Sequence, residues 1–248
     1  LEDAREYNII GCVEPQKSGK TNGWHDAAFF NMCRPLELVF ANGMDKGVQV
    51  GIQTGDVTKM NTFDEFYDAY KKQMEYCISL MVNADNAIDV AHAERCPLPF
   101  LASMVDDCLT RGLTAEQGGA VYNFTGPQGF GIANMADSLY AIRKLVYEDK
   151  KVSMETYKEA LAWNYDKGLD EKSVADMSEM ILKGMQDAGM TVNEDTAKAV
   201  LQTVMRLKPS DEQIQKFTEL HDMIDEVPKF GNAIDDVDYF ARDVAYTY

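Results

Sequence analysis

A thiol and a carboxylate stand two residues apart in Gly11-Cys12-Val13-Glu14-Pro15, just after the short run Tyr7-Asn8-Ile9-Ile10. In an extended chain, side chains at i and i+2 share a face, roughly 6.5–7 Å apart along the strand. A substrate carbon could then meet the Cys12 sulfur while a neighbouring hydroxyl meets the Glu14 carboxylate. Such a pair suits attack at carbon with removal of a hydroxyl proton. Taken alone, five residues of this kind more often mean a buried structural cysteine beside a surface glutamate. His25-Asp26 is a second polar pair, equally readable as part of a site or as a loop pair that satisfies backbone groups. The glycine-rich run Gly126-Pro127-Gln128-Gly129-Phe130-Gly131 lacks the Lys-Ser/Thr of a P-loop and the spacing of a dinucleotide fingerprint. It reads better as a shaped loop whose backbone comes close to a substrate. Neither a Ser-His-Asp order nor an HExxH pattern occurs.

The elements that must position these groups follow from periodicity and punctuation. Residues 6–13 read as a buried strand and 15–28 as loop. Helical spacing of Phe30, Cys33, Leu36 and Phe40 marks 29–41, and Gly43 and Gly47 turn the chain toward a strand over Val48–Thr54. Thr62-Phe63-Asp64-Glu65 is a capping box that opens a long helix to about His92. Its stripe of Phe66, Tyr70, Met74, Cys77 and Met81 is read as core packing rather than a cofactor box. Pro97 and Pro99 interrupt the chain before a shorter helix over 101–111. The stretch 112–131 reads as irregular loop, and 134–148 as a helix. Ser153 caps another helix through Tyr165. From 170 to 227 the pattern is helical and highly charged, with starts at Asn193 and at the capping box Ser210-Asp211-Glu212-Gln213. No repeat, flexible linker or domain boundary is evident.

The bulk numbers narrow the function classes. The chain has 248 residues, 46% of them hydrophobic, enough for a large core in one domain. A net charge of −17 argues against nucleic acid and anionic membrane surfaces. No run approaches the roughly 18 apolar residues of a membrane span, and no secretion leader precedes the first motif. Five dispersed cysteines without a CxxC pair, and three histidines, make a disulfide framework or a metal site unexpected. Reduced thiols in a cytoplasm fit better. Beginning at Leu1 and ending at Tyr248 without a closing element, the chain is expected to be a piece of a longer polypeptide.

Six runs in order resemble the glycyl radical enzyme superfamily, the pyruvate formate-lyase relatives. They are residues 11–16 (Gly-Cys-Val-Glu-Pro-Gln), 19–26 (Gly-Lys-Thr-Asn-Gly-Trp-His-Asp) and 96–100 (Cys-Pro-Leu-Pro-Phe), with 118–129, 137–146 and 228–232. Together they span nearly the whole chain. The resemblance implies an α/β fold, a helix-rich segment of a ten-stranded barrel with outer helices. Residues 1–248 would be the central part of the domain, lacking its N-terminal part and its C-terminal glycyl radical domain. No Arg-Val-Ala-Gly-Tyr-like run is present, so the chain alone should be inactive.

By that resemblance Cys12 carries a thiyl radical and abstracts hydrogen from substrate, while Glu14 takes the hydroxyl proton. An α-hydroxyalkyl radical is far more acidic than its alcohol, so a carboxylate with an ordinary pKa of about 4.3 is base enough, and burial would strengthen it. Asp26, with His25, would orient substrate hydroxyls. Phe29 stands where choline lyases would have tyrosine. The Cys-x-Glu pattern is that of the eliminating and decarboxylating branches. It implies diol dehydration first, with isethionate sulfite-lyase, choline trimethylamine-lyase and 4-hydroxyphenylacetate decarboxylase as alternatives, and a non-catalytic truncated paralogue as the rival outside catalysis. No bound cofactor is implied. The glycyl radical, on a segment absent here, would be installed by a radical S-adenosylmethionine activating enzyme. The complete protein would be a homodimer acting on a small molecule, in the cytoplasm or a bacterial microcompartment.

Overall fold

A computed structural model describes residues 2–11, 14–24, 26–165, 171–205 and 209–248. The chain opens on a short helix, α1 (Glu2–Arg5), and an antiparallel hairpin of β1 (Tyr7–Ile10) and β2 (Glu14–Lys17). Two more strands follow, β3 (Thr21–Trp24) and β4 (Phe29–Asn31), then α2 (Cys33–Phe40) and a small hairpin, β5 (Met44–Asp45) with β6 (Val48–Gln49). A 33-residue helix, α3 (Phe63–Arg95), comes next. Short helices α4 (Pro99–Ala102) and α5 (Cys108–Arg111) precede β7 (Tyr122–Thr125) and β8 (Gln128–Phe130). The remainder is helical. It comprises α6 (Ile132–Ile142), which runs on as a π-helical segment (Arg143–Glu148), then α7 (Met154–Ala162), α8 (Glu171–Asp187), α9 (Glu194–Met205), α10 (Asp211–Glu226) and α11 (Asp235–Thr247).

These elements fall into two compact units. One takes residues 1–32 and 77–131, the other 33–76 and 132–248. Each is built from two separated stretches, and one crossing point, at Cys77, lies in the middle of α3. A boundary placed inside a helix leaves no linker composition for a reader of the sequence to find.

In the second unit the apolar stripe of α3 is core, as its spacing predicts: Phe66, Tyr70 and Met74 are fully buried. The capping box forms, with Thr62 Oγ1 accepting the Glu65 N–H at 3.3 Å and Glu65 Oε2 accepting the Thr62 N–H at 3.4 Å. Around the stripe gathers an aromatic cluster. Phe40 meets Phe66 edge-on at 5.7 Å, and Phe63 meets Phe240 at 5.5 Å and 82°, the edge-to-face geometry that ring quadrupoles favour. Buried Gln73 closes a two-way clamp on Ile52, donating to its carbonyl at 2.6 Å and accepting its N–H at 3.2 Å. This pairs the backbone of an extended segment that no strand accompanies. The Ser153, Asn193 and Ser210 caps form as expected, each side-chain oxygen accepting the N–H three residues on.

Several expectations need correction. The first strand is not buried: Tyr7, Ile9 and Ile10 are 56%, 48% and 44% exposed. It is also short, because Gly11 adopts a left-handed φ of 61° and the chain reverses between the paired residues Ile10 and Glu14. The segments read as loop, 15–28 and 112–131, hold four strands, β2, β3, β7 and β8. Their partners are either one turn away or about 100 residues away, beyond the reach of local pattern. The 101–111 helix is two short helices separated by a turn. The terminal residues, read as lacking a closing element, belong to α11, whose Asp235, Asp236 and Asp238 suit a helix N-terminus and which packs along α6.

Candidate functional site

Two stretches of the first unit, 21–31 and 122–130, run parallel as one ladder broken in the middle. β3 pairs with β7 from Thr21↔Tyr122 to Trp24↔Thr125, and β4 pairs with β8 from Phe29↔Gln128 to Asn31↔Phe130. At the break, the Gly126 N–H donates to the Trp24 carbonyl at 2.7 Å and the Gln128 N–H to the Ala28 carbonyl at 2.8 Å. Between them stands Pro127, which has no N–H to give, so the ladder must open there.

The break is where the acidic candidates meet. The Gln128 side-chain amide donates to Asp26 Oδ1, and the same nitrogen lies 3.4 Å from Glu14 Oε1. An amide nitrogen carries two protons and can serve two acceptors, so one neutral side chain holds two carboxylates that would otherwise repel. Glu14 is 8% exposed and Asp26 is open to solvent. Gly11 sets the approach of Glu14: a Cβ there would lie 2.7 Å from Glu14 Oε2, in a backbone conformation that already favours glycine. A sheltered carboxylate beside an exposed one, tied through a hydrogen-bond donor, can accept a proton at one oxygen while binding a hydroxyl at another.

Of the five predicted site residues, the structure brings Glu14 and Asp26 together. Phe29 opens β4 in register with Gln128, its ring 67% exposed. Cys12 and His25 lie outside the described residues. Glu14 begins the returning strand of a hairpin, paired with Ile10, and the expected strand face shared by residues 12 and 14 lies outside the described residues. Sequence reasoning missed Gln128 as a site residue. The available signal was a lone polar side chain inside a Gly-Pro-x-Gly run, where glycines would otherwise present only backbone.

The Pyruvate formate lyase-like (PFL-like) family pattern matches residues 1–248. The chain belongs to that family. A solved structure from work on 1,2-propanediol dehydration in Roseburia inulinivorans matches the whole chain at 57% identity with a TM-score of 0.94, over 30% of its own length. The glycerol-bound B12-independent glycerol dehydratase of Clostridium butyricum matches it at 42% identity and TM-score 0.76, over 25% of its length. The (2S)-3-sulfopropanediol dehydratase of Klebsiella oxytoca is 40% identical over 155 residues, 62% of this chain and 19% of that protein. The chain thus spans less than a third of these relatives, and its helix-rich α/β fold matches the corresponding parts of their structures.

Proposed function

We propose that these residues are the hydrogen-abstracting segment of a glycyl radical dehydratase that converts a small 1,2-diol to an aldehyde and water. The main support is the pairing of Glu14 and Asp26 through Gln128 at the ladder break, in a chain similar to diol dehydratases along its whole length. The one-electron oxidation of Cys12 comes from a glycyl radical elsewhere in the full-length protein, installed by a radical S-adenosylmethionine activating enzyme. Cys12 then takes a hydrogen atom from the hydroxyl-bearing carbon, becoming a thiol and leaving a carbon radical. Glu14 accepts the hydroxyl proton, which makes that carbon electron-rich and breaks the neighbouring C–O bond. The departing hydroxide takes that proton back from Glu14 and leaves as water, which returns Glu14 to its carboxylate form. The product radical recovers its hydrogen from the Cys12 thiol, regenerating the thiyl. Asp26, with His25, holds the hydroxyls in place, and Phe29 limits substrate bulk.

The complete enzyme, in this proposal, is a homodimer built on a ten-stranded barrel and works in an anaerobic cytoplasm or a microcompartment within it. No helix among the described residues is long and apolar enough to cross a membrane. The test is the full-length protein, activated anaerobically and offered glycerol, 1,2-propanediol, choline, isethionate and 4-hydroxyphenylacetate. Aldehyde from a diol, lost in Cys12→Ser and in Glu14→Gln, is the expected result. Trimethylamine, sulfite or a decarboxylated arene would move the assignment to another branch. Silence on all five despite a glycyl radical signal would overturn it.

A further inference from the structure

On the first unit, a cavity of 330 Å³ lies between β3 and α3, walled by Trp24, Asp26, Asp85, Asp89, His92 and Thr125 among others. Asp85, Asp89 and His92 sit at i, i+4 and i+7 of α3 and so share one face of it. The carboxylates here act as acceptors. Asp89 Oδ2 takes the Thr125 hydroxyl at 2.5 Å, and Asp26 takes the Gln128 amide. Asp85 is only 7% exposed and makes no hydrogen bond or ion pair with any described residue. His92 stacks on Trp24 with centroids 4.1 Å apart, and its Nδ1 is buried without a partner among the described residues. Among the described residues, no lysine or arginine lines the cavity.

A buried carboxylate without a counter-charge is costly, and natural proteins pair such groups. We propose that this cavity receives an organic cation, a guanidinium or alkylammonium group, whose N–H donors satisfy Asp85, the free lone pairs of Asp89, and His92 Nδ1. A metal ion fits less well, because no set of three or more His, Cys, Asp or Glu among the described residues is placed to hold one. A planar guanidinium spreads five donors over several ångströms and suits acceptors that are dispersed around a pocket. Apart from Asp26, the groups involved are separate from those of the lyase reading, so the two stand or fall independently. The cation has two possible sources: a lysine or arginine elsewhere in the full-length polypeptide, or a small molecule.

Thermal melts of the full-length protein distinguish them, comparing wild type with Asp85→Asn in the presence and absence of methylguanidinium. With an internal cation, Asp85→Asn lowers the Tm by several degrees and methylguanidinium changes nothing. With a small-molecule cation, Asp85→Asn raises the Tm in plain buffer by removing an unpaired buried charge. Methylguanidinium then raises the wild-type Tm saturably and leaves the variant unmoved. An unchanged or raised Tm in Asp85→Asn, with no response of the wild type to methylguanidinium, overturns the proposal. Should Asp85→Asn fail to fold, Asp89→Asn, which keeps an oxygen for Thr125, is expected to show the same signs and is judged by the same criteria.

Discussion

Gln128 does at the scale of one residue what the motif around Cys12 cannot do for itself: it keeps two carboxylates side by side in fixed positions. Replacing it with leucine removes the shared donor and lets Glu14 and Asp26 separate. In the full-length enzyme Gln128→Leu is expected to lower kcat/KM on the order of 10²-fold, the usual penalty for misplacing a reacting group by about an ångström. The thermal midpoint should stay close to wild type, since Gln128 is not among the buried core residues. Wild-type kcat/KM in that variant would refute the positioning role. The acidic pair was legible in the sequence: Glu14 from its spacing to a cysteine, Asp26 from the run that carries the family resemblance. Their coupling was not, because the residue that joins them lies more than 100 positions away, and one sequence contains no record of that contact.

Among the elements, those whose cause is local were the readable ones. The Thr62–Glu65 box, the Ser153 and Ser210 caps and the α3 stripe are all decided within a few residues. Strands β7 and β8 take their identity from β3 and β4, so Tyr122–Thr125 looked like one more piece of a glycine-rich loop. The continuation of α6 into a π-helical segment was also beyond pattern reading, and it has a measurable effect. It sets Tyr147 against Phe63 at 6.0 Å and Phe66 at 6.4 Å, with its hydroxyl buried and without a partner among the described residues. Burial, helped by the charge of Glu65, pushes the Tyr147 pKa up to about 12. A raised tyrosine pKa means that the fold prefers the neutral phenol. That contribution is complete below the unfolded pKa of about 10 and is lost as pH climbs toward 12. Tyr147→Phe should therefore be at least as stable at pH 7, by up to about 1 kcal/mol for deleting an unsatisfied hydroxyl. It should also lose less stability than wild type between pH 9 and pH 12, on the order of the titration range just given. Parallel alkaline losses in melts of the two proteins would contradict this.

For the whole molecule, the 248 residues carry much apolar surface. Phe29, Phe100, Leu109 and Tyr246 are 67%, 79%, 74% and 82% exposed. The sheets among the described residues are all two-stranded, so every strand keeps an edge unpaired. Surfaces and edges of this kind associate. Expressed alone, the chain is expected to run as oligomers or precipitate, and a sharp monomeric peak on size exclusion with one cooperative melt would count against that. The interleaving of the two units also has a consequence in time. The ladder that gathers Glu14, Asp26 and Gln128 cannot close until its second stretch, ending at Phe130, has been made. At ribosomal speeds of roughly 5–20 residues per second, the first stretch waits about 5–20 s with its partner not yet synthesised. The segment proposed to bear the radical chemistry is thus finished well after its first stretch is made, and a chaperone that binds exposed strands would find it open throughout that interval.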